Sequence, residues 1–175
     1  MKPIARQIHP IPPVFDANSR VLILGSFPSV RSREVGFFYG HPQNRFWRTL
    51  ARILESPNEP RTTEEKREFL LRNGIALWDV IASCEIVGSS DSSIRNAVPN
   101  DLGVILDTAS IRQIYTNGKT AHRLYEKYLY PQTGREAICL PSTSPANAAW
   151  TQERLCAAWE TVIKGLHAKP RSDFY

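Results

Sequence analysis

The run VLILG, Val21 to Gly25, constrains the fold more than any other part of this chain: four consecutive branched apolar residues ended by glycine, with Pro28 close behind. It is too short for an amphipathic helix and has no polar face, so it reads as a strand buried on both sides. Strands of that kind sit in sheets that helices cover on both faces.

The rest of the chain supplies such cover. Phe46, Trp47, Leu50, Ala51 and Leu54 recur at helical spacing and predict a helix from about Asn44 to Glu55. Thr62 with Glu65 forms a capping-box pattern for a second helix, which Gly74 ends. IALWDVI, Ile75 to Ile81, reads as a strand or a buried turn. Asn100 is placed to cap a short helix through Ala109, and IRQIYT, Ile111 to Thr116, is strand-like. Asn117, in a left-handed conformation, and Gly118 then turn the chain into a helix with Ala121, Leu124, Tyr125 and Tyr128 on one face, stopped by Pro131. AICL, Ala137 to Leu140, is the last strand, and Leu155, Trp159, Val162, Ile163 and Leu166 stripe a closing helix. Residues 1 to 19, with Pro3, Pro10, Pro12 and Pro13, read as an extended arm without regular structure.

Strands alternating with helices predict an α/β fold, a three-layer α/β/α arrangement around a short, mostly parallel sheet. At 175 residues and 42% hydrophobic content, one domain spanning 1 to 175 is expected. No stretch approaches the ~20 apolar residues of a membrane span, and the N-terminus lacks an apolar secretion core, so a soluble, intracellular protein is expected. Cys84, Cys139 and Cys156 form no CxxC pair or Cys/His cluster, which predicts reduced thiols, no metal and no cofactor. Cys139 and Cys156, beside apolar residues, are expected to be buried as small hydrophobes.

Charge is uneven. Residues 1 to 54 carry +6 of the net +5, leaving −1 for the remainder, and 16 of the 22 basic residues are arginine. Arginine forks suit phosphate oxygens, so a polyanion such as nucleic acid fits the first third. A solvated basic face fits equally well on charge alone.

Ligands of open parallel sheets bind outside the carboxyl ends of the strands. Three candidate strands are followed there by polar loops: GSFPS (Gly25 to Ser29), NGKT (Asn117 to Thr120) and PSTSPANA (Pro141 to Ala148). Together they form an edge rich in backbone N–H groups and hydroxyls, suited to phosphates or the polar edge of a base. NGKT is no P-loop, because Gln113 stands where GxxxxGK[ST] needs glycine. GSFPS is no GxSxG nucleophile elbow. The loop from Val30 to Gln43 holds Phe37, Phe38, Tyr39 and His41, and aromatic surface beside arginine is what stacks an extruded base. At least one of Phe37 and Phe38 is expected in the core. Asn44 by itself reads as a helix N-cap.

In context, however, the eight residues GHPQNRFW, preceded by Tyr39 and by a Gly/Ser/Pro loop after a first strand, resemble the mismatch-specific branch of the uracil-DNA glycosylase superfamily. PSTSPANA is similar to that superfamily's second active-site motif, a Pro-Ser loop that enters the DNA minor groove. GSFPS, GHPQNRFW, LWDVIASCE, SSDSSIRN and PSTSPANA together resemble the hypoxanthine-DNA glycosylase branch most. The first loop departs from the better known branches, which carry an Asp or Asn to handle the attacking water where Phe27 stands.

The resemblance implies a uracil-DNA glycosylase-like fold and a monofunctional enzyme acting on DNA. It also implies excision of a deaminated base, hypoxanthine before uracil, with the catalytic amide at Asn44, where it is expected to position the attacking water. Base contacts fall to Gly25, Ser26, Phe27, Pro28, Ser29 and a stacking Tyr39. DNA contacts fall to Ser142, Thr143, Ser144, Pro145, Lys119 and Arg45, and a monomer is expected. Asp79 reads as structural, and Asp91 as a loop or cap residue. Rival readings are a DNA-binding module of the same fold without catalysis, and a nucleoside or nucleotide hydrolase.

Overall fold

The computed structural model describes residues 4–170. Its centre is β2 (Val21–Gly25), in which all five residues are buried. This strand pairs in parallel with β3 (Ile75–Asp79) on one side and β6 (Gln113–Asn117) on the other. The last strand, β7 (Ala137–Leu140), pairs in parallel with β6 and completes a sheet of order β3-β2-β6-β7. The expected parallel sheet is therefore present.

Alternation along β2 distributes its side chains to two cores. Val21 and Ile23 join Ile75, Leu77 and Tyr115 under four helices: α2 (Phe46–Ile53), α3 (Thr63–Arg72), α7 (Gln152–Trp159) and α8 (Thr161–His167). Leu22 and Leu24 face the other way with Ala76 and Ile114, packing on α4 (Gly103–Leu106) and α5 (Lys119–Tyr128). Phe37 and Phe38 are both in the first core. Thr62 and Glu65 make the reciprocal capping box on α3, and Gly74, at φ 74°, ends it.

Several local expectations are corrected. The N-terminal arm is not wholly irregular: β1 (Ala5–Ile8), a stretch between prolines, pairs antiparallel with β4 (Ile81–Ile86), which in turn pairs with β5 (Arg95–Pro99). Ile75 to Ile81 thus feeds two strands in different sheets. The loop after β2 contains a helical turn, α1 (Val30–Val35), capped by Ser29 and ended by Gly36 at φ 80°. The left-handed position after β6 is Gly118 at φ 100°, because Asn117 is itself the last strand residue. Asn100 donates to the Asp79 carbonyl at 2.9 Å, while Asp101 accepts from Gly103 N–H at 2.8 Å to start α4. Pro131 does not end helical structure outright but opens the short α6 (Tyr130–Thr133). The closing stripe is two helices, α7 and α8, meeting at Glu160. Cys139 is exposed, since β7 is an edge strand, and Cys156, on α7, is only half-buried; Cys84 is the buried thiol.

Gly165 shows how closely α8 lies on the sheet. A Cβ there would sit 2.3 Å from Tyr115 Oη, which donates to the Thr161 carbonyl at 2.7 Å, and 3.0 Å from Val21 Cγ1. We expect Gly165→Ala to destabilise the protein by about 1–3 kcal/mol through overpacking, despite the better helix propensity of alanine. Urea denaturation measures this, and an alanine variant as stable as wild type would contradict the close seating of α8.

Candidate active site

A pocket of about 200 Å³ opens at the carboxyl edge of the parallel sheet. Three adjacent strand ends contribute Asp79, Gly25 and Asn117, and the 26–29 loop, Tyr39, His41, Asn44, Asp91, Ser144 and Pro145 are among the other residues of the lining. Its volume is below the ~300–1,000 Å³ of pockets that enclose drug-sized ligands, so it suits a single small ring system. The three loops singled out in the sequence do meet here, although Lys119 lies outside the lining and is exposed.

The side chains of the first loop are committed to the protein. Ser26 Oγ donates to Asp91 Oδ1 at 2.9 Å. Phe27 is buried, edge-on to His9 and under the Arg33 guanidinium. Ser29 Oγ caps α1, accepting from Ser32 N–H at 3.1 Å. Pro28 is buried. What the loop offers a ligand is its backbone: the Ser26 and Phe27 N–H groups have no protein acceptor among the described residues. Gly25 has to be glycine, since a Cβ would lie 2.4 Å from Asp79 Oδ1 and 2.9 Å from Tyr39 Oη.

Tyr39 stacks on Phe46, centroids 4.1 Å apart, so one ring face is covered by protein and only the other is left for a ligand. Its backbone is left-handed, at φ 51°, a conformation costing a non-glycine residue roughly 1–2 kcal/mol. The hydroxyl is buried and makes no hydrogen bond of good geometry, although the Asn117 side chain lies beside it; its own proton has no acceptor. Burial first, and the nearby charge of Asp79 second, push the phenol far above its ordinary range, so it remains a proton donor. An unmatched buried donor in a pocket invites a ligand acceptor.

Residues not expected in the site come from two sources. Asp79 ends β3, and its Oδ2 accepts from His9 Nε2 at 2.7 Å in a pair whose side chains are 4% and 3% exposed. Ile11 N–H donates to His9 Nδ1, which places the ring hydrogen on Nε2. Asp79 thus makes a structural bond, as expected of it, and also lines the pocket; the signal for the second was its place at a strand's carboxyl end. Asp91 enters from a short 3-10 turn, Asp91–Ser93, in line with its reading as a loop residue; its motif SSDSSIRN was the one signal in the sequence. Its carboxyl is shifted upward, first by burial, with the Ser26 hydrogen bond opposing.

The N-cap of α2 is Arg45 and not, as expected, Asn44, which lies one residue further out; its Oδ1 still accepts from Phe46 N–H at 3.0 Å, in a turn that leaves the side chain in the pocket lining. The same oxygen accepts from Thr143 Oγ1 at 2.8 Å. Two residues expected at DNA face inward. Thr143 is fully buried, bonded to Asn44 and Asn117. Arg45 turns its guanidinium onto the carbonyls of Ser144, Asn147 and Trp150 and clamps the loop after β7, adding side-chain donors to carbonyls of which the first two also accept from backbone N–H groups within the loop. Ser142, Ser144 and Pro145 remain at least partly exposed at the pocket rim. Among the described residues no three His, Cys, Asp or Glu side chains converge to hold a metal ion.

A parallel-sheet edge carrying a one-ring-system pocket, an aromatic platform with an unmatched hydroxyl, and a buttressed amide defines a protein that binds a base-like heterocycle. The family model described as the uracil DNA glycosylase superfamily matches residues 12–164, and the chain belongs to that superfamily. Among curated proteins it is similar to two described as hypoxanthine DNA glycosylase. The one from Methanosarcina barkeri is 34% identical over 87% of this chain and 96% of the relative. The one from Methanosarcina acetivorans is 36% identical over the same shares. A solution NMR structure from Methanosarcina acetivorans, described as a candidate uracil DNA glycosylase, superposes with a TM-score of 0.76 at 35% identity. It covers 90% of this chain and 97% of that one.

The upward shift of Asp91 has a measurable sign. The folded state holds this proton more tightly than the unfolded chain, so its contribution to stability is present at low pH and is lost as pH rises from 3.8 through the folded midpoint. Asp91→Asn, which keeps an acceptor for Ser26, should therefore melt higher than wild type at about pH 7, with the gain vanishing at acid pH. A series of melting temperatures against pH checks this, and a variant that melts lower at neutral pH would show that the anion is favoured by folding.

Proposed function

We propose that the chain is a monomeric, monofunctional DNA glycosylase that removes hypoxanthine, with uracil the second base to test, from intracellular DNA. Membership of the superfamily and the two hypoxanthine DNA glycosylase relatives support the reaction class. The observation that carries the reading to this site is the unmatched Tyr39 hydroxyl in a pocket sized for one base.

In the reaction the C1′–N bond breaks with its electrons passing to the base, and water adds to a cationic sugar. A neutral base edge and a departing base anion both call for donors. The N–H groups of Ser26 and Phe27 supply them in the manner of an oxyanion hole. The free face of the Tyr39 ring takes the base. Asn44 provides the catalytic carboxamide; an amide holds no titratable proton, so it acts by placement and not as a general base. Ser142, Ser144, Pro145 and Lys119 contact the DNA backbone around the extruded nucleotide, whose unstacking takes a few kcal/mol from that binding.

Duplex and single-stranded oligonucleotides with one deoxyinosine or deoxyuridine, incubated with the protein and then heated in alkali, test the proposal. Strand breaks at the modified position are expected with wild type. In Asn44→Ala, with folding confirmed by circular dichroism, the rate should fall by roughly 10²–10³, the usual effect of removing one positioned polar group from such a site. No cleavage of either oligonucleotide by wild type would refute the activity, and an undiminished Asn44→Ala would refute the residue.

A further inference from the structure

We infer that Thr143, acting with the Phe46 N–H, holds the Asn44 carboxamide with its oxygen turned to the protein, so that Asn44 works as a hydrogen-bond donor to the departing base. This rests on the glycosylase reading and goes beyond it by assigning the amide's direction and the groups that set it.

Two backbone N–H groups carry the argument, because a backbone N–H is always a donor. Phe46 N–H lies 3.0 Å from one side-chain atom of Asn44, which must therefore be the oxygen. Thr143 N–H likewise lies 3.0 Å from Asn117 and identifies Oδ1 there. The opposite end of Asn117, Nδ2, then faces Thr143 Oγ1 at 3.0 Å, and the hydroxyl accepts from it. Having accepted on that side, the hydroxyl directs its own proton to Asn44 Oδ1, 2.8 Å away. Both amide orientations follow from obligatory donors, with no free choice at either. Turned over, Asn44 would set its NH2 group against both, leaving the Phe46 N–H and the Thr143 proton without an acceptor.

Thr143 has no function left over for anything else. It is fully buried, and its carbonyl accepts from Arg45 N–H at 3.0 Å. The oxygen of Asn44, in turn, already takes two donors. Its Nδ2 has no protein acceptor among the described residues, and the side chain lines the pocket. Only the donor end is offered to a ligand.

A donor stabilises charge where charge grows. As the C1′–N bond breaks, both electrons move into the base, while the water that adds to C1′ gives up its surplus proton to solvent and the base anion takes one from solvent. A donor aimed at the water oxygen would draw on the lone pair that attacks, whereas the same donor aimed at a ring nitrogen or carbonyl of the base strengthens through the transition state. The geometry therefore assigns Asn44 to the leaving group, and Thr143 is its positioning residue.

Single-turnover base release from a deoxyinosine oligonucleotide, compared across five variants, tests this. Asn44→Asp keeps the oxygen that Phe46 and Thr143 require and puts an acceptor in place of Nδ2; its rate should be no higher than that of Asn44→Ala. An Asn44→Asp protein faster than Asn44→Ala would overturn the inference, since a water-directing role needs an acceptor. Thr143→Val should lower the rate about tenfold or more with little change in substrate affinity, and Thr143→Ser, which keeps the hydroxyl, should recover most of it. In the Asn44→Ala background Thr143→Val should cost nothing further, because the group it orients is gone. An equal loss in both backgrounds would make Thr143 merely structural and overturn its assignment; if Thr143→Val does not fold, the Asn44→Asp and Thr143→Ser arms decide. An undiminished Asn44→Ala would overturn the inference by removing Asn44 from the reaction, whereas an inactive wild type would bring down the glycosylase reading itself.

Discussion

Everything in this molecule depends on the burial of β2 between two parallel neighbours. All five of its residues are removed from water, so the strand delivers side chains to both cores and leaves its backbone no partners but β3 and β6. Parallel pairing then brings three carboxyl ends to one edge, where the chain has to leave the sheet. Polar residues collect there because the edge is the one place on a doubly covered sheet that water and ligands reach. Gly25, Asp79 and Asn117 are the last residues of their strands, and all three line the pocket.

Around that edge the protein replaces solvent with fixed partners. Arg45 holds the loop after β7 by three of its carbonyls, Thr143 ties that loop to Asn117 and Asn44, and His9 reaches in from the N-terminal arm to hold Asp79. Preorganised donors of this kind do not have to reorient as charge develops, which is where catalysis without a strong acid or base obtains its rate. The left-handed backbone at Tyr39 and its unmatched hydroxyl are local costs that the surrounding packing, including the stack on Phe46, tolerates.

Much of the fold was legible because it followed local rules. β2, β7, the capped α3 and the striped α2, α5 and α7–α8 all obey hydrophobic period, capping chemistry and glycine or proline punctuation. The misreadings share a cause. β1 forms because β4 presents an antiparallel edge to it, Cys139 is exposed because β7 happens to be the sheet's border, and Asn100 bonds the Asp79 carbonyl instead of a helix end. In each case a partner distant in sequence outweighed the local preference.

The site divides in the same way. Sequence alone determined the α/β class, the edge at which the pocket opens, and, through GHPQNRFW and PSTSPANA, the superfamily and the placement of Tyr39 and Asn44 beside the strand ends. These are properties of short stretches, set by periodicity and motif. Tertiary structure alone decided what each polar group does. Arg45 became a loop clamp, Thr143 a buried brace, Asp79 and Asp91 parts of the pocket, and His9 a support for Asp79. The physical reason is that a hydrogen bond's worth depends on which donor and acceptor are left in a given buried place. Residues 90 or more positions apart, such as Asn44 and Thr143, are brought into such a place only by the complete fold.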